Sequence, residues 1–210
     1  MAPASVERAK QVRHRGRSRR AAFPVVACAA SAGGLQALSE VLSALPAAFP
    51  AALVVVQHLD PRHPSLMAEI LGKRTKLPVQ QARQGRRLEP GTVQIAPPDR
   101  HLLVHPDATL GLSQSELVHF LRPSADLLFE SVAASFRERA IAVVLSGTGK
   151  DGSMGVTAIR TMGGTVIAQD PSSAEFPGMP QAAIETGHVD HVVPLAEIAG
   201  TLVQLVAKRE

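Results

Sequence analysis

The sequence contains neither tryptophan nor tyrosine, and its only aromatic residue is phenylalanine, with 6 copies in 210 residues. Few side chains are therefore available to stack on nucleic-acid bases. Asparagine is also absent, which excludes a Cys-His-Asn catalytic set and any N-glycosylation sequon. Cys28 is the single cysteine, so no disulfide framework can form within the chain. This cysteine usage is typical of a reducing compartment, and we expect a cytoplasmic location.

Long hydrophobic runs are absent too: no stretch approaches the ~20 apolar residues that a membrane-spanning helix needs. The net charge of +4 comes from residues 1–20, which carry seven lysines and arginines against one glutamate. The rest of the chain has no basic excess, so we expect no specific nucleic-acid partner. Residues 1–21 show no apolar periodicity, which predicts a disordered basic tail that can make electrostatic contact with an acidic surface such as anionic lipid.

Apolar strand patterns alternate with helical patterns over the remaining chain. The predicted strands cover residues 24–30, 51–57, 140–145 and 165–169. The predicted helices follow Gly33, begin at Ser65, cover 124–136, follow Ser153, and cover 181–185 and 195–207. Short strands at 92–96 and 101–105, separated by glycine and proline turns, predict an antiparallel hairpin region within 77–113. We therefore predict one α/β domain over residues 22–210: a doubly wound, mostly parallel sheet with helices on both faces and a small antiparallel hairpin region.

Polar residues follow three of the buried strands, where open α/β sheets form their functional crevice. Ser31 follows the first strand, His58 the second and Asp151 the third. A serine becomes a nucleophile when an imidazole takes its proton, and a carboxylate orients that imidazole. The amides of Ala32 and Gly33 lie where a strand turns into a helix, so we expect them to face a developing oxyanion.

Each of these residues also has a simpler interpretation. Ser31 and Asp151 each precede a predicted helix and are suited to cap it, and His58 is suited to bond a backbone carbonyl in a turn. The catalytic hypothesis depends on the joint placement of all three after buried strands.

Two other sites compete with this hypothesis. Gly147, Gly149 and Gly152 match the G-x-G-x-x-G pattern after a strand, and Asp170 follows at the spacing of a ribose-binding acid, which favours a dinucleotide-binding enzyme. That alternative gives Ser31 no role. A metal site is the other possibility, with candidate ligands His188, Asp190, His191, His101 and His105. Their spacing matches no closed zinc site, and we expect neither a metal nor another cofactor.

Six motifs in order resemble the catalytic domain of chemoreceptor protein-glutamate methylesterases, the CheB type. They are Ser31-Ala32-Gly33-Gly34, Val55-Val56-Gln57-His58-Leu59, Ile95-Ala96-Pro97-Pro98-Asp99-Arg100-His101, Arg122-Pro123-Ser124-Ala125-Asp126-Leu127-Leu128-Phe129, Leu145-Ser146-Gly147-Thr148-Gly149-Lys150-Asp151-Gly152 and Gly178-Met179-Pro180-Gln181-Ala182-Ala183. The resemblance implies hydrolysis of γ-glutamyl methyl esters on receptor helices, and often deamidation of receptor glutamines. It places the catalytic serine, histidine and aspartate on Ser31, His58 and Asp151, and an oxyanion-binding amide on Thr148.

The chain departs from this family at two points. Ala29 replaces a glycine that commonly opens the serine turn. Many members also carry an N-terminal phospho-receiver domain, whereas only about 22 residues precede the first predicted strand here. We therefore expect a stand-alone catalytic domain that works with separate regulatory or chemosensory proteins, and a basic tail that contacts membrane or receptor array. A non-catalytic receptor-binding module remains an alternative.

Overall fold

The computed structural model describes residues 22–58 and 65–209. The predicted basic tail of residues 1–21 lies outside this part of the chain, and its contacts stay a prediction. No helix in the described residues is long and apolar enough to cross a membrane.

Nine strands form two sheets. Seven of them make the central sheet: β1 (Val25–Ala30), β2 (Ala52–Gln57), β3 (Val79–Gln81), β4 (Val93–Ile95), β7 (Ala140–Val144), β8 (Thr165–Gln169) and β9 (His191–Val193). All neighbours in it are parallel, in the order β3-β4-β2-β1-β7-β8-β9. The other two, β5 (His101–Val104) and β6 (Leu110–Ser113), form an antiparallel hairpin. The predicted fold class is confirmed.

Helices cover both faces of the central sheet. They are α1 (Gly34–Ala44), α2 (Met67–Gly72), α3 (Ala125–Phe136), α4 (Ser153–Thr161), α5 (Gly178–Glu185) and α6 (Leu195–Ala207). The side chains of β1 alternate between two cores: Val25 and Ala27 face α3, α4, α5 and the hairpin, whereas Val26 and Cys28 face α1, α2 and α6. Because both faces of β1 are buried, its sequence is apolar throughout.

Cys28 is fully buried in this second core, and burial raises the pKa of its thiol to about 12.

Two details of the predicted organisation are wrong. The segment 77–113 is not antiparallel throughout, because β3 and β4 join the parallel sheet and only β5 and β6 form a hairpin. All three residues of β4 are buried, as expected for a strand covered on both faces. In addition, the sequence predicts no strand after residue 169, whereas His191 begins β9, which pairs with β8 at the sheet edge.

Candidate active site

Three neighbouring strands end at one edge of the sheet and bring Ser31, His58 and Asp151 to it. Strands β2, β1 and β7 are adjacent in that order. Ala30 and Gln57 are paired in register, so Ser31 and His58 each lie one residue beyond a paired position. The His58 amide continues the ladder by donating to the Ala30 carbonyl at 3.1 Å. Sheet register thus places the predicted nucleophile and base side by side.

His58 and Asp151 are in direct contact. Their Nε2 and Oδ2 atoms are 2.8 Å apart, and the two side chains are 10% and 1% exposed. This bond occupies Nε2, so Nδ1 is the ring nitrogen left to accept a proton from a hydroxyl. Among the described residues no hydrogen bond joins Ser31 Oγ to the ring. The structure therefore joins two of the three predicted side chains and places the third on the adjacent strand end.

The backbone of Ser31 is fixed from two sides. The Gln57 side-chain amide donates to the carbonyls of Ser31 at 2.6 Å and His58 at 3.2 Å. The Ser31 amide donates to the Ser146 carbonyl at 3.0 Å. Gly147 allows this close approach of β7, since a Cβ there would lie 2.8 Å from Ser31 Cβ. Gln57 was not singled out from the sequence, although its buried amide links the two predicted catalytic segments.

The three predicted oxyanion-binding amides lie around the end of β1 and the loop after β7. Gly33 has φ 72° at the start of α1, a conformation that favours glycine. In the described part of the chain, the amides of Ala32, Gly33 and Thr148 donate to no backbone carbonyl, whereas the neighbouring amide of Gly147 donates to Phe176 at 2.8 Å. Their role in binding an oxyanion stays a prediction.

The Asp151 carboxylate is buried and accepts four hydrogen bonds. Besides His58, its donors are Ser124 Oγ at 2.9 Å and the amides of Ala125 at 2.6 Å and Asp126 at 3.1 Å. These amides belong to the first turn of α3, where the helix dipole also favours negative charge. Burial alone would raise the pKa of Asp151, but the hydrogen bonds from His58 and α3 outweigh it and hold the pKa below its usual value. Asp151 is therefore ionised at neutral pH.

Asp126 makes the reciprocal contact: its carboxylate binds the start of α4. Its Oδ1 accepts the amides of Gly152 at 2.9 Å and Gly155 at 2.8 Å. Its Oδ2 is buried and has no hydrogen-bond partner among the described residues, with His119 Nε2 at 3.5 Å. Burial, together with the nearby charge of Asp151, raises the pKa of Asp126 to about 6. Asp151, which lies just before α4, thus binds the N-terminus of α3. Asp126, which lies in the first turn of α3, binds the N-terminus of α4.

We expect Asp126→Asn to be tolerated better at pH 8 than at pH 5. The folded pKa of about 6 exceeds the ordinary value of 3.8, so the penalty for this buried charge is absent well below pH 4 and complete above about pH 7. The asparagine side chain keeps an oxygen that accepts the backbone amides of Gly152 and Gly155, and it removes the charge. Unfolding by urea at both pH values should show a difference of about 1 kcal/mol in the effect of the substitution, because part of the penalty is already present at pH 5.

The matched control for this prediction is Asp126→Ala, which removes the acceptor as well as the charge and should destabilise at both pH values. An Asn variant whose stability relative to the wild type is the same at pH 5 and pH 8 would contradict the prediction.

The dinucleotide-binding alternative has its residues engaged elsewhere. Asp170 Oδ1 accepts the amide and hydroxyl of Ser172 at 2.8 and 2.7 Å and so caps a short 3-10 helix. In the glycine-rich loop 147–152, the amides of Gly147 and Gly152 donate to Phe176 and Asp126, and the Asp151 carboxylate accepts the amides that begin α3. These contacts favour the serine hydrolase hypothesis.

Two of the five candidate metal ligands, His101 and Asp190, are hydrogen-bonded to the backbone. His101 accepts the Ser124 amide at Nδ1 and donates from Nε2 to the Glu116 carbonyl. Asp190 accepts the Val166 amide at 2.8 Å. Across residues 22–58 and 65–209, no group of three or more His, Cys, Asp or Glu side chains is arranged to hold a metal ion.

Comparison with known proteins identifies the family of this chain. The family model described as CheB methylesterase matches residues 26–202. A Burkholderia lata protein named protein-glutamate methylesterase/protein-glutamine glutaminase 2 is 42% identical over 88% of this chain and 54% of its own length. A Leptospira interrogans relative is 36% identical and is matched over 95% of its own length and 87% of this chain. The chain spans about half the length of the Burkholderia lata protein and of several other curated relatives.

The fold has a close counterpart of known structure. The crystal structure of the Thermotoga maritima CheB methylesterase catalytic domain superposes with a TM-score of 0.85 at 35% identity. The match covers 89% of this chain and 100% of that domain.

Proposed function

Since this chain belongs to the CheB methylesterase family, we propose that it is a serine hydrolase that removes methyl groups from γ-glutamyl methyl esters of chemoreceptors in chemosensory adaptation. The observation that supports this most directly is the buried His58–Asp151 pair beside Ser31. Relatives at about 40% identity carry the name protein-glutamate methylesterase.

The proposed reaction begins with Ser31. Its Oγ attacks the ester carbonyl carbon while the free nitrogen of His58 takes the hydroxyl proton. Asp151 remains ionised and stabilises the imidazolium that forms. The amides of Ala32, Gly33 and Thr148 would donate to the oxyanion, which is where preorganised donors contribute most to acyl transfer.

The intermediate then collapses and the C–O bond to methoxide breaks. His58 returns the proton to the leaving oxygen, so methanol departs and a glutamyl-Ser31 ester remains. Water attacks this ester with His58 as base, which releases glutamate and restores the serine. A glutamine substrate would follow the same steps with ammonia as the leaving group, consistent with the second name of the Burkholderia lata relative.

A direct test is incubation with methylated receptor membranes and measurement of released methanol, combined with a fluorophosphonate probe and mass spectrometry of the labelled residue. Methanol release and a label on Ser31 support the proposal. A protein that binds receptor but takes no label would be a non-catalytic module. Tight NADH binding without labelling would favour the dinucleotide-binding alternative.

We expect activity to survive chelation. The proposed steps use only protein groups, so methanol release after EDTA treatment and exhaustive dialysis should stay within about twofold of the untreated value. An inactive dialysed protein that recovers only when zinc or a nicotinamide nucleotide is added would contradict this expectation.

Methylated chemoreceptors are the proposed substrate partner, and separate chemosensory proteins are proposed as regulators. A cytoplasmic location is part of the same proposal, because the receptor segments to be demethylated must meet the enzyme there.

A further inference from the structure

A tight turn near the candidate site has an unusual composition. Residues Val118–Leu121 are closed by two backbone hydrogen bonds, from the Leu121 amide to the Val118 carbonyl at 2.8 Å and in the reverse direction at 3.2 Å. The central residues His119 and Phe120 have φ 50° and 64°. Two consecutive left-handed residues define a type I′ turn, which favours glycine, asparagine and aspartate. A phenylalanine in this conformation is strained.

The phenylalanine also gains no burial from the fold. Phe120 is 94% exposed, and the nearby Leu117 is 51% exposed. Neither backbone conformation nor packing in the described residues accounts for a large aromatic side chain at this position. Exposed apolar side chains that cluster beside polar groups mark contact sites for other molecules.

This turn lies beside the reaction centre. Leu117, Phe120 and His58 line one cavity of about 260 Å³. His119 approaches the start of α3, with its Nε2 3.5 Å from Asp126 Oδ2. Because both apolar side chains line the same cavity as the proposed base, a molecule bound there beside His58 contacts them.

The base of the turn is held in place and its charge is paired. Arg122 also lines the cavity, and its guanidinium donates twice to Asp99 Oδ1, at 2.8 and 2.6 Å, and to the Ser115 carbonyl at 2.8 Å. Because Arg122 is already neutralised, this wall favours a neutral apolar group over an ionic one. A surface fixed in advance also loses little conformational freedom when a partner binds.

We propose that Leu117 and Phe120 form a docking surface for the protein substrate and contact an apolar side chain next to the esterified glutamate. This inference rests on the proposed function, because a protein-bound ester that reaches His58 brings its neighbouring side chains onto this turn. The docking surface contributes to substrate affinity and takes no part in the bond-making steps.

The test compares wild type with Phe120→Gly on two substrates, methylated receptor and a small soluble glutamyl γ-methyl ester. Glycine suits the left-handed backbone, so the variant should fold with a Tm at least as high as that of the wild type. We expect KM for the receptor to rise about tenfold, as for loss of one buried apolar contact. Turnover of the small ester should stay within about twofold. Phe120→Leu should recover most of the receptor affinity.

Met162→Ser is the matched control. Met162 is 40% exposed at the far end of α4, away from the strand ends that carry the site, and its replacement should leave both substrates unaffected. An unchanged receptor KM in Phe120→Gly overturns the proposal, and so does an equal loss on both substrates. Vesicles of phosphatidylglycerol and phosphatidylcholine that retain wild type but not Phe120→Gly would assign the surface to lipid and also overturn it. If the wild type releases methanol from neither substrate, the proposed function and this inference are both overturned.

Discussion

Replacing Ser31 with alanine is expected to lower methanol release by a factor on the order of 10⁴ to 10⁶ and to leave the fold intact. The loss is large because no other group can form the covalent intermediate at this position. The fold should persist because the contacts that fix Ser31, from Gln57 and to Ser146, use its backbone and not its hydroxyl. Methanol release from methylated receptor and the thermal unfolding midpoint measure the two effects.

Ser43→Ala provides the control for serine removal. Ser43 lies exposed on α1, where its hydroxyl donates only to the Glu40 carbonyl among the described residues, and its replacement should change activity by less than about twofold. Wild-type methanol release from Ser31→Ala would exclude the proposed mechanism.

The second large effect is expected at Asp151, where even the conservative substitution Asp151→Asn should lower both stability and turnover. Both carboxylate oxygens accept backbone amides, Oδ1 from Asp126 and Oδ2 from Ala125. In either orientation, the asparagine NH₂ would therefore face a buried backbone N–H. We expect a loss of about 2 kcal/mol in the free energy of unfolding and a loss of about 10⁴ in turnover, because His58 loses the charge that orients it.

The stability loss should depend on pH. Folding lowers the pKa of Asp151, so its contribution is present above the ordinary value of 3.8 and disappears as the pH falls through the lowered pKa. Urea unfolding of wild type and Asp151→Asn should therefore show a gap that narrows towards acid pH. A constant gap from pH 7 to pH 3 would contradict this assignment.

Combining the two substitutions tests whether the residues act as a unit. Ser31→Ala with Asp151→Asn should be barely slower than Ser31→Ala alone, because Asp151 acts only through the proton transfer from Ser31. Additive losses would show that Asp151 acts independently of the serine.

Much of the fold could be predicted because its strongest signals are local. The run of six buried residues in β1 and the periodic apolar residues of α6 each determine an element without reference to the rest of the chain. The parallel pairing of β4 could not be predicted in this way. Its three residues are flanked by glycine and proline turns that are typical of hairpins, and its partners lie in β2 and β3.

In the candidate site, too, the residues that a local pattern marks could be predicted, and those that depend on distant partners could not. Placing Ser31, His58 and Asp151 together needed only the rule that parallel strands end at one edge. Ser124 and Asp126 were not singled out as site residues, because a serine and an acid at a helix start are fully explained by local capping and the helix dipole. Their actual partners lie about 25 residues further along the chain. No local sequence pattern predicts a hydrogen bond between residues so far apart in the chain.

The burial of Cys28 has a practical consequence for spectroscopy. The thiolate is the form that alkylating reagents attack, and a thiol with a pKa of about 12 inside a packed sheet supplies almost none of it. Since Cys28 is the single cysteine, the folded wild-type protein offers no competing thiol to a maleimide dye or a nitroxide label. One substitution, such as Phe120→Cys, is therefore enough to attach a probe to the turn beside His58, with the native cysteine left in place.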